Sequence, residues 1–538
     1  MIGTRHKVLP MFLLTSLLAL LLGACTGASD NPARTLTIVS GSENRTLEPI
    51  IQTWADQNNY NIEITYLGSL DISRQLRTGN IAFDAVWPAN RLWLDYGDIS
   101  NITRHSESII RSPVVFGLKR SVAERLGWTD GRDIFMRDIL DATESGEVRF
   151  MMTSATQSNS GASFYFAALS AFAGSPEVIS SDNLNDPTVQ EEISRILGTV
   201  DRSSGSSGWL ADLFINEYDR FDAMVNYEAV LIETNQELAS QGRDPLYAIY
   251  PVDGLAIADS PLAYVERGLE DKEDIFLELQ AFLLEENTQR QLLGEGRRTS
   301  TLGIQLSDAD RDVFRPEWGI DVDRVIQPIR FPNAEVIQEA LTLYQTTFRR
   351  PSCTAYVLDF SGSMVDNGED ELKAAMRTLL DQNIAQDYLL QGHPEDVSLV
   401  VLFETTILNR DFDDWIVEGN DPAELRDLYL QIEDESAGGG TNIFGAALEA
   451  YQELEDIRED RDCLPSVIVM TDGADREGLY GDFERYISRT ENDIPVFAIT
   501  FGNADEEELI PMTDLTFGRL FDGTEDLIEA FRSAKGYN

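Results

Sequence analysis

Lysine is scarce in this chain, with five in 538 residues: Lys7, Lys119, Lys272, Lys373 and Lys535. Against 93 acids, the 42 lysines and arginines leave a net charge of −51. A surface that acidic repels phosphate backbones, which argues against a nucleic-acid partner. Histidine is limited to His6, His105 and His393, so a serine or thiol nucleophile would find few bases to activate it. Cysteine occurs only at positions 25, 353 and 463, too sparsely for a cysteine-rich metal cluster. Long apolar runs are missing as well. The longest, Met11 to Leu22, is shorter than the roughly 20 residues that span a bilayer. What is present is enough apolar surface, 43% of residues with 9% aromatic, to build folded domains. At this length two or three are expected, because one core stops growing near roughly 250–300 residues. The acids are spread along the chain and read as solvated faces, as in proteins of salty habitats where screening relieves self-repulsion.

Arg5 and Lys7, the apolar stretch Met11 to Leu22, and the small residues of Leu22-Gly23-Ala24-Cys25 form a leader pattern. It resembles the lipobox of bacterial lipoproteins. The resemblance implies that Cys25 carries the lipid, that residues 1–25 are the signal peptide, and that the mature protein sits outside the cytoplasm, tethered to a bacterial membrane. Residues 26–34, TGASDNPAR, are small and polar and read as that tether.

Two α/β units follow, the first over residues 35–348 and the second over 351–538. In the first, short apolar runs alternate with amphipathic stretches: LTIVS (36–40), a helix from Leu47 to Gln57, IEITYL (62–67), a short helix over Ile72 to Arg77, and FDAVWP (83–88). That alternation predicts parallel βαβ units. VRFMMTSA (148–155), a helix over 163–172, DAMVNYE (222–228), LYAIYPV (246–252) and one long amphipathic helix from Lys272 to Leu293 continue the pattern. In the second unit the apolar strands are TAYVL (354–358), VSLVVLF (397–403), SVIVM (466–470) and PVFAITF (495–501), and a last helix is predicted over Thr524 to Ala534 with Thr524 as its N-cap.

The second unit carries the sharper chemistry. Asp359 ends a predicted strand and opens the run Asp359-Phe360-Ser361-Gly362-Ser363. Gly438-Gly439-Gly440-Thr441 precedes a helix, and Asp472 again follows an apolar strand. Open α/β sheets bind ligands beyond the carboxyl ends of their strands. Two carboxylates and three hydroxyls form an oxygen-only donor set, which suits magnesium, calcium or manganese and argues against zinc or copper. Alone, D-x-S-x-S also fits a polar turn that caps a helix. The glycine run lacks the Gly-Lys-Ser/Thr of a phosphate loop. DFSGS, GGGT and TDG, in that order over about 120 residues, resemble the metal-ion-dependent adhesion site of von Willebrand factor A domains, a doubly wound, Rossmann-like fold. The resemblance implies that Asp359, Ser361, Ser363, Thr441 and Asp472 hold a divalent cation, magnesium first among the three, and that a protein partner completes the coordination with an acidic side chain. If Asp359 and Asp472 meet at one metal, their strands are neighbours, and Cys353 and Cys463 fall together at the other end of the sheet. A Cys353–Cys463 disulfide is then expected, in keeping with an oxidising compartment.

In the first unit, Ser40-Gly41-Ser42, Phe83-Asp84-Ala85-Val86-Trp87, Thr156-Gln157-Ser158-Asn159-Ser160-Gly161 and Asn226-Tyr227-Glu228 each stand where a strand gives way to a helix. Together with the element order they resemble the bilobal type II solute-binding proteins of ABC transporters, in particular binders of oxyanions. By that resemblance Ser40, Ser42, Trp87, Thr156, Ser158, Ser160 and Tyr227 face a small solute, an oxyanion or a small polar organic molecule, because free backbone N–H groups at helix starts favour anions and carbonyls. Simpler readings stand beside these: 153–161 also fits an N-cap loop, Trp87 also fits a core plug, and Glu228 would oppose an anion. The cleft is then either a solute site or a scaffold. The reading is of a binding protein and not an enzyme, with the second unit either gripping a protein partner or docking an ABC permease.

Overall fold

The computed structural model describes residues 34–79, 81–299, 310–324, 327–365, 367–490, 493–502, 504, 506–524 and 526–537. The leader, Cys25 and all of the tether except Arg34 lie outside the described residues. Among the described residues no helix is long and apolar enough to cross a membrane.

The N-terminal domain has two lobes. Its strands are β1 (Thr35–Ser40), β2 (Asn61–Tyr66), β3 (Ala85–Trp87), β4 (Thr103–Ser108), β5 (Ile110–Lys119), β6 (Phe150–Thr153), β7 (Val200–Ser204), β8 (Ala223–Tyr227), β9 (Leu246–Ile249), β10 (Ile257–Ala258), β11 (Pro261–Val265) and β12 (Arg298–Thr299). The first lobe is built on the order β2-β1-β3-β11-β4 and the second on β10-β5-β8-β6-β7, with β9 and β12 also pairing with β5. The chain therefore passes between lobes at β4–β5, returns at β10–β11 and crosses again before β12.

The parallel expectation holds for β1 with β2 and β3 and for β6 with β7 and β8, whereas β11, β4 and β5 pair antiparallel. Two further expectations are corrected. The stretch Lys272 to Leu293 forms two helices, Glu270–Leu284 and Glu286–Gly294, because Glu285 between them has extended backbone.

The last helix runs over Leu527–Lys535 and is capped by Asp526, whose carboxylate accepts from the Glu529 N–H at 3.1 Å. Thr524 instead turns back to bond Asp522.

The C-terminal domain adds β13 (Ser352–Asp359), β14 (Val397–Phe403), β15 (Ile416–Glu418), β16 (Leu464–Thr471), β17 (Val496–Thr500) and β18 (Leu520–Asp522) in the order β15-β14-β13-β16-β17-β18. All pairs are parallel except β14 with β15. β13 is buried along its whole length, which is why it reads as a continuous apolar run. Tyr356 and Leu358 enter the core on one face, under helices Asn367–Leu380, Pro422–Asp434 and Leu527–Lys535; Cys353, Ala355 and Val357 enter the other, under Ile443–Glu459, Tyr480–Ile487 and Glu506–Leu515. Helices on both faces make the sheet doubly wound and leave its strand tips for a site.

Cys353 and Cys463 are disulfide-bonded, with Cα atoms 5.7 Å apart, at the end of the sheet away from Asp359.

The domain does not project freely from its neighbour. Arg532, on the last helix and 1% exposed, donates to the Thr156 carbonyl at 2.7 Å and ion-pairs with Asp71, so it touches both lobes. Gln157 donates to the Arg532 carbonyl at 2.5 Å, Arg202 to the Phe517 carbonyl at 2.9 Å, and Trp209 packs edge-on against Tyr537.

Candidate functional sites

At the strand tips of the C-terminal domain, three loops converge. Asp359 ends β13; its Oδ1 accepts from the Ser361 N–H at 2.7 Å and its Oδ2 from the Thr471 hydroxyl at 2.6 Å. The hydroxyls of Ser361 and Ser363 lie 3.0 Å apart. Asp472 follows β16, and its Oδ1 is shielded from solvent without a hydrogen-bond partner. A methyl group placed on Gly473 would stand 2.9 Å from Ser363 Oγ and 3.6 Å from Thr441 Oγ1, so these hydroxyls face the turn that carries Asp472. The glycine run is tied to the same spot: Gly362 donates to the Gly439 carbonyl at 3.2 Å and Gly438 to the Phe360 carbonyl at 2.8 Å. Gly439 has φ +75°, a left-handed backbone, and a side chain there would collide with the Glu404 carboxylate.

Burial pushes the Asp359 carboxyl up to about 6; the neighbouring Asp472 adds to the rise, and the bonds from Thr471 and Ser361 oppose it. Burial also raises Asp472. Two buried acids therefore face each other with no basic side chain among the causes of either shift. Among the described residues no three acidic, histidine or cysteine side chains gather at one point. The donor set here is two carboxylates plus hydroxyls, and that set with an unpartnered carboxylate oxygen fits a hard divalent cation. Thr471, which anchors Asp359, opens the TDG run of the sequence but is not among the residues expected to hold the ion; its role is to hold Asp359.

The sequence-predicted solute residues do not converge on one point. Trp87 is fully buried in the first lobe's core and donates its indole N–H to the Ser260 carbonyl at 3.1 Å, which is the core-plug arrangement. Ser40 bonds the Gly41 carbonyl at 3.2 Å and accepts from Asn44 at 3.1 Å. Ser158 and Ser160 bond Ser207 at 3.1 and 2.8 Å, and Ser160 also meets Thr153 at 2.8 Å, so this loop satisfies itself. Thr156 has its carbonyl taken by Arg532. Ser42 bonds Ser206 at 3.0 Å and the Gly208 N–H at 3.3 Å, joining the lobes across their cleft. Tyr227 accepts from Asn159 at 3.0 Å, and Asn159 accepts from the Trp93 indole at 2.7 Å, a second bridge between lobes. Glu228 is fully buried and held by two bonds from Arg298, each 2.8 Å, so its charge is neutralised within the second lobe.

The groups that do meet where the lobes close are Tyr227, Glu43, Asn44, Ser260 and Arg297, around one narrow void. In the first loop the sequence-predicted residues stop at Ser42, one residue short of Glu43 and Asn44, and Tyr227 is among those expected; Ser260 and Arg297 lie more than two hundred residues from that loop with no local signal. Burial raises Glu43 to about 7, opposed by its own backbone bond and by Arg297.

Residues 36–298 match the profile of the family described as bacterial extracellular solute-binding protein. No curated protein is similar to the chain in sequence. Among solved structures, the sulfate-binding protein SubI of Mycobacterium tuberculosis is 15% identical, with 55% of this chain and 94% of that one aligned at a TM-score of 0.39. Iron-bound HitA of Pseudomonas aeruginosa is 15% identical over 58% and 98%, with a TM-score of 0.41. A von Willebrand factor type A protein of Catenulispora acidiphila is 19% identical over 36% of this chain and 44% of its own, with a TM-score of 0.29. The family match thus falls on the N-terminal domain, an α/β fold of two lobes, and accounts for just under half of the chain.

Proposed function

We infer that this is an extracytoplasmic binding protein, lipid-anchored through Cys25, whose N-terminal domain captures a small solute and whose C-terminal domain grips an acidic group of a protein partner through a divalent cation. The observation that carries the second part is the meeting of Asp359 and Asp472, both buried without a basic partner, with the hydroxyls of Ser361, Ser363 and Thr441. Those five residues would hold the ion, magnesium first, with calcium and manganese as alternatives. When bound it supplies an electrophilic centre for an incoming carboxylate. The chain's own contribution is to fix Asp359, which the Thr471 hydroxyl and the Ser361 N–H hold, and to tie the glycine loop to the same spot through Gly438 and Gly439.

A second reading has the C-terminal domain dock an ABC permease or regulate delivery to it. The contact of Arg532 with both lobes favours it, because a partner bound to this domain then acts on the solute cleft directly. Magnesium titration of the full chain, followed by thermal unfolding, tests the metal. The midpoint should rise for the wild type and stay unmoved for Asp359→Ala and Asp472→Ala. An equal rise in the variants would sink the assignment. For the solute, a library of sugars, oxyanions, amino acids and amines screened by thermal shift should yield at least one compound whose shift survives both substitutions.

A further inference from the structure

Acids outnumber bases 93 to 42 in this chain, yet a pocket at the joint between the domains reverses the ratio. It lies where the second lobe, the linker and the last helix meet, and its lining includes Arg349, Arg350, Arg532 and Lys535 but no aspartate or glutamate. Polar and apolar groups share that lining evenly. The pocket offers water about 40 Å³, room for about three waters or one anion of up to about four heavy atoms.

Which charges are already balanced decides what the pocket takes. Arg349 pairs with Asp396, Arg350 with Asp462, and Arg532 with Asp71. Three of the four bases are thus matched, and Lys535 is left over. Among the described residues its ammonium makes no hydrogen bond and no ion pair, and the side chain is half-buried against the pocket. Burial pushes the ammonium down to about 8; the Asp396 carboxylate opposes the fall and the Arg349 guanidinium adds to it.

Gln345 is the second unspent group. It is 6% exposed, lines the same pocket, and its amide has no partner among the described residues. Residues Tyr344–Phe348 form a π-helical turn, closed by the Arg349 N–H donating to the Tyr344 carbonyl at 3.0 Å. Such turns are rare and concentrate at functional sites. This one carries Gln345 and Arg349 to the pocket together. The neighbouring carbonyls are spent: Thr156 accepts from Arg532 at 2.7 Å, Val200 from Arg350 at 3.0 Å, and Pro351 from the Leu464 N–H at 2.8 Å. A cation entering here would meet an unbalanced ammonium and no carboxylate. An anion meets that ammonium and an amide able to turn its NH2 inward.

We propose that the pocket binds one small monovalent anion, held by the Lys535 ammonium and the Gln345 amide, and that this anion ties the last helix to the linker. A surface of −51 repels anions at long range, so the occupant is one present at high concentration, chloride or a small carboxylate such as acetate. Ser352 and Leu464 place the pocket at the end of the sheet away from Asp359, so the site stands apart from the strand tips and depends on neither the metal nor the solute reading.

The test is thermal unfolding of the full chain at pH 7 and fixed ionic strength, with sodium gluconate, too large for the pocket, replaced stepwise by sodium chloride or sodium acetate. The wild-type midpoint should climb with the logarithm of the anion concentration once its dissociation constant is passed. Lys535→Met should give a flat response and, in gluconate, a midpoint no lower than the wild type, because a buried ammonium without its own acid has been removed. Gln345→Leu should move the response to several-fold higher concentration. Whichever of chloride and acetate acts at the lower concentration names the kind of monoanion. An equal response in wild type and Lys535→Met overturns the site, as does a wild type indifferent to both anions. Sulfate acting in place of both overturns the single-charge count. Should Lys535→Met unfold early in gluconate, Gln345→Leu decides alone, and an unchanged response there overturns the site.

Discussion

The two ends of the C-terminal sheet treat a buried acid in opposite ways. At the entrance, Asp396 is gripped by Arg349 through both oxygens, at 2.9 and 2.5 Å, and also accepts from the Ser352 N–H at 2.8 Å; burial alone would raise it, but Arg349 pulls it down to about 2. At the tips, Asp359 and Asp472 face each other without a base, and burial lifts both. The paired kind recurs in the N-terminal domain, where Glu228 is held by Arg298 and Asp84 by Arg267 and Lys272. A buried acid with its base beside it belongs to the scaffold, since breaking such a pair strands a charge. A buried acid left alone marks a place where something else supplies the positive charge.

The largest effect expected at the scaffold end is on the disulfide that staples it. Cys353 and Cys463 lie 110 residues apart, and closing a loop of that size restricts the unfolded chain by about 4 to 5 kcal/mol. A Cys353→Ala/Cys463→Ala variant should lose about that much in denaturant unfolding of the C-terminal domain and keep its magnesium response, because the bond is remote from the tips. Loss of the metal response with the disulfide would break the separation of the two ends.

How far this division is visible in the sequence depends on how local it is. The tip site is legible because a strand end places Asp359, Ser361 and Ser363 in one run, Asp472 follows from the same strand-then-loop rule, and the glycine run ahead of a helix marks Thr441. The cleft is legible only at Tyr227, because Glu43, Ser260 and Arg297 join it only when two lobes close and each stands alone in its own segment. Much of the α/β order is legible for the same local reason: β1, β2, β8, β14 and β16 read as apolar runs. β5 escapes, since Arg111, Ser112 and Pro113 interrupt its apolar pattern near the start, although it is the strand around which the second lobe is arranged. The docking of the last helix on both lobes is equally silent, because nothing in the residues around Arg532 announces Asp71 as its partner.

That contact gives the next test. Arg532→Ala leaves Asp71 buried without its base and removes the guanidinium from the Thr156 and Tyr388 carbonyls. A loss of about 3 to 5 kcal/mol is expected, as for other broken buried pairs, together with a larger radius of gyration in X-ray scattering as the domains part. An Arg532→Met/Asp71→Leu double variant should recover most of the stability, since the stranded charge is removed along with its partner. If the single variant unfolds like the wild type and scatters alike, Asp71 does not belong to the paired class.

The smallest effect separates the two classes by the sign of their pH dependence. Asp396 has a folded value of about 2 against 3.8 for an ordinary aspartate, so it binds protons more weakly folded than unfolded. Each tenfold change in proton affinity is worth about 1.4 kcal/mol, so its contribution is about 2 to 3 kcal/mol. That contribution is fully present above pH 4 and is lost as the pH falls through 2. Asp359 is displaced the other way, to about 6, so its ionised form costs the metal-free fold stability that is lost as the pH rises from 4 to 6. At pH 7 in chelator, Asp396→Asn should therefore lower the unfolding free energy, and Asp359→Asn should leave it unchanged or raise it. If the tips hold the proposed cation, magnesium should reverse the second result alone, because Asp396 already has its base and Asp359 has none among the described residues. Two substitutions of the same chemistry, at the two ends of β13 and its neighbour, would then differ in sign for one physical reason: Arg349 stands beside one carboxylate and no base stands beside the other.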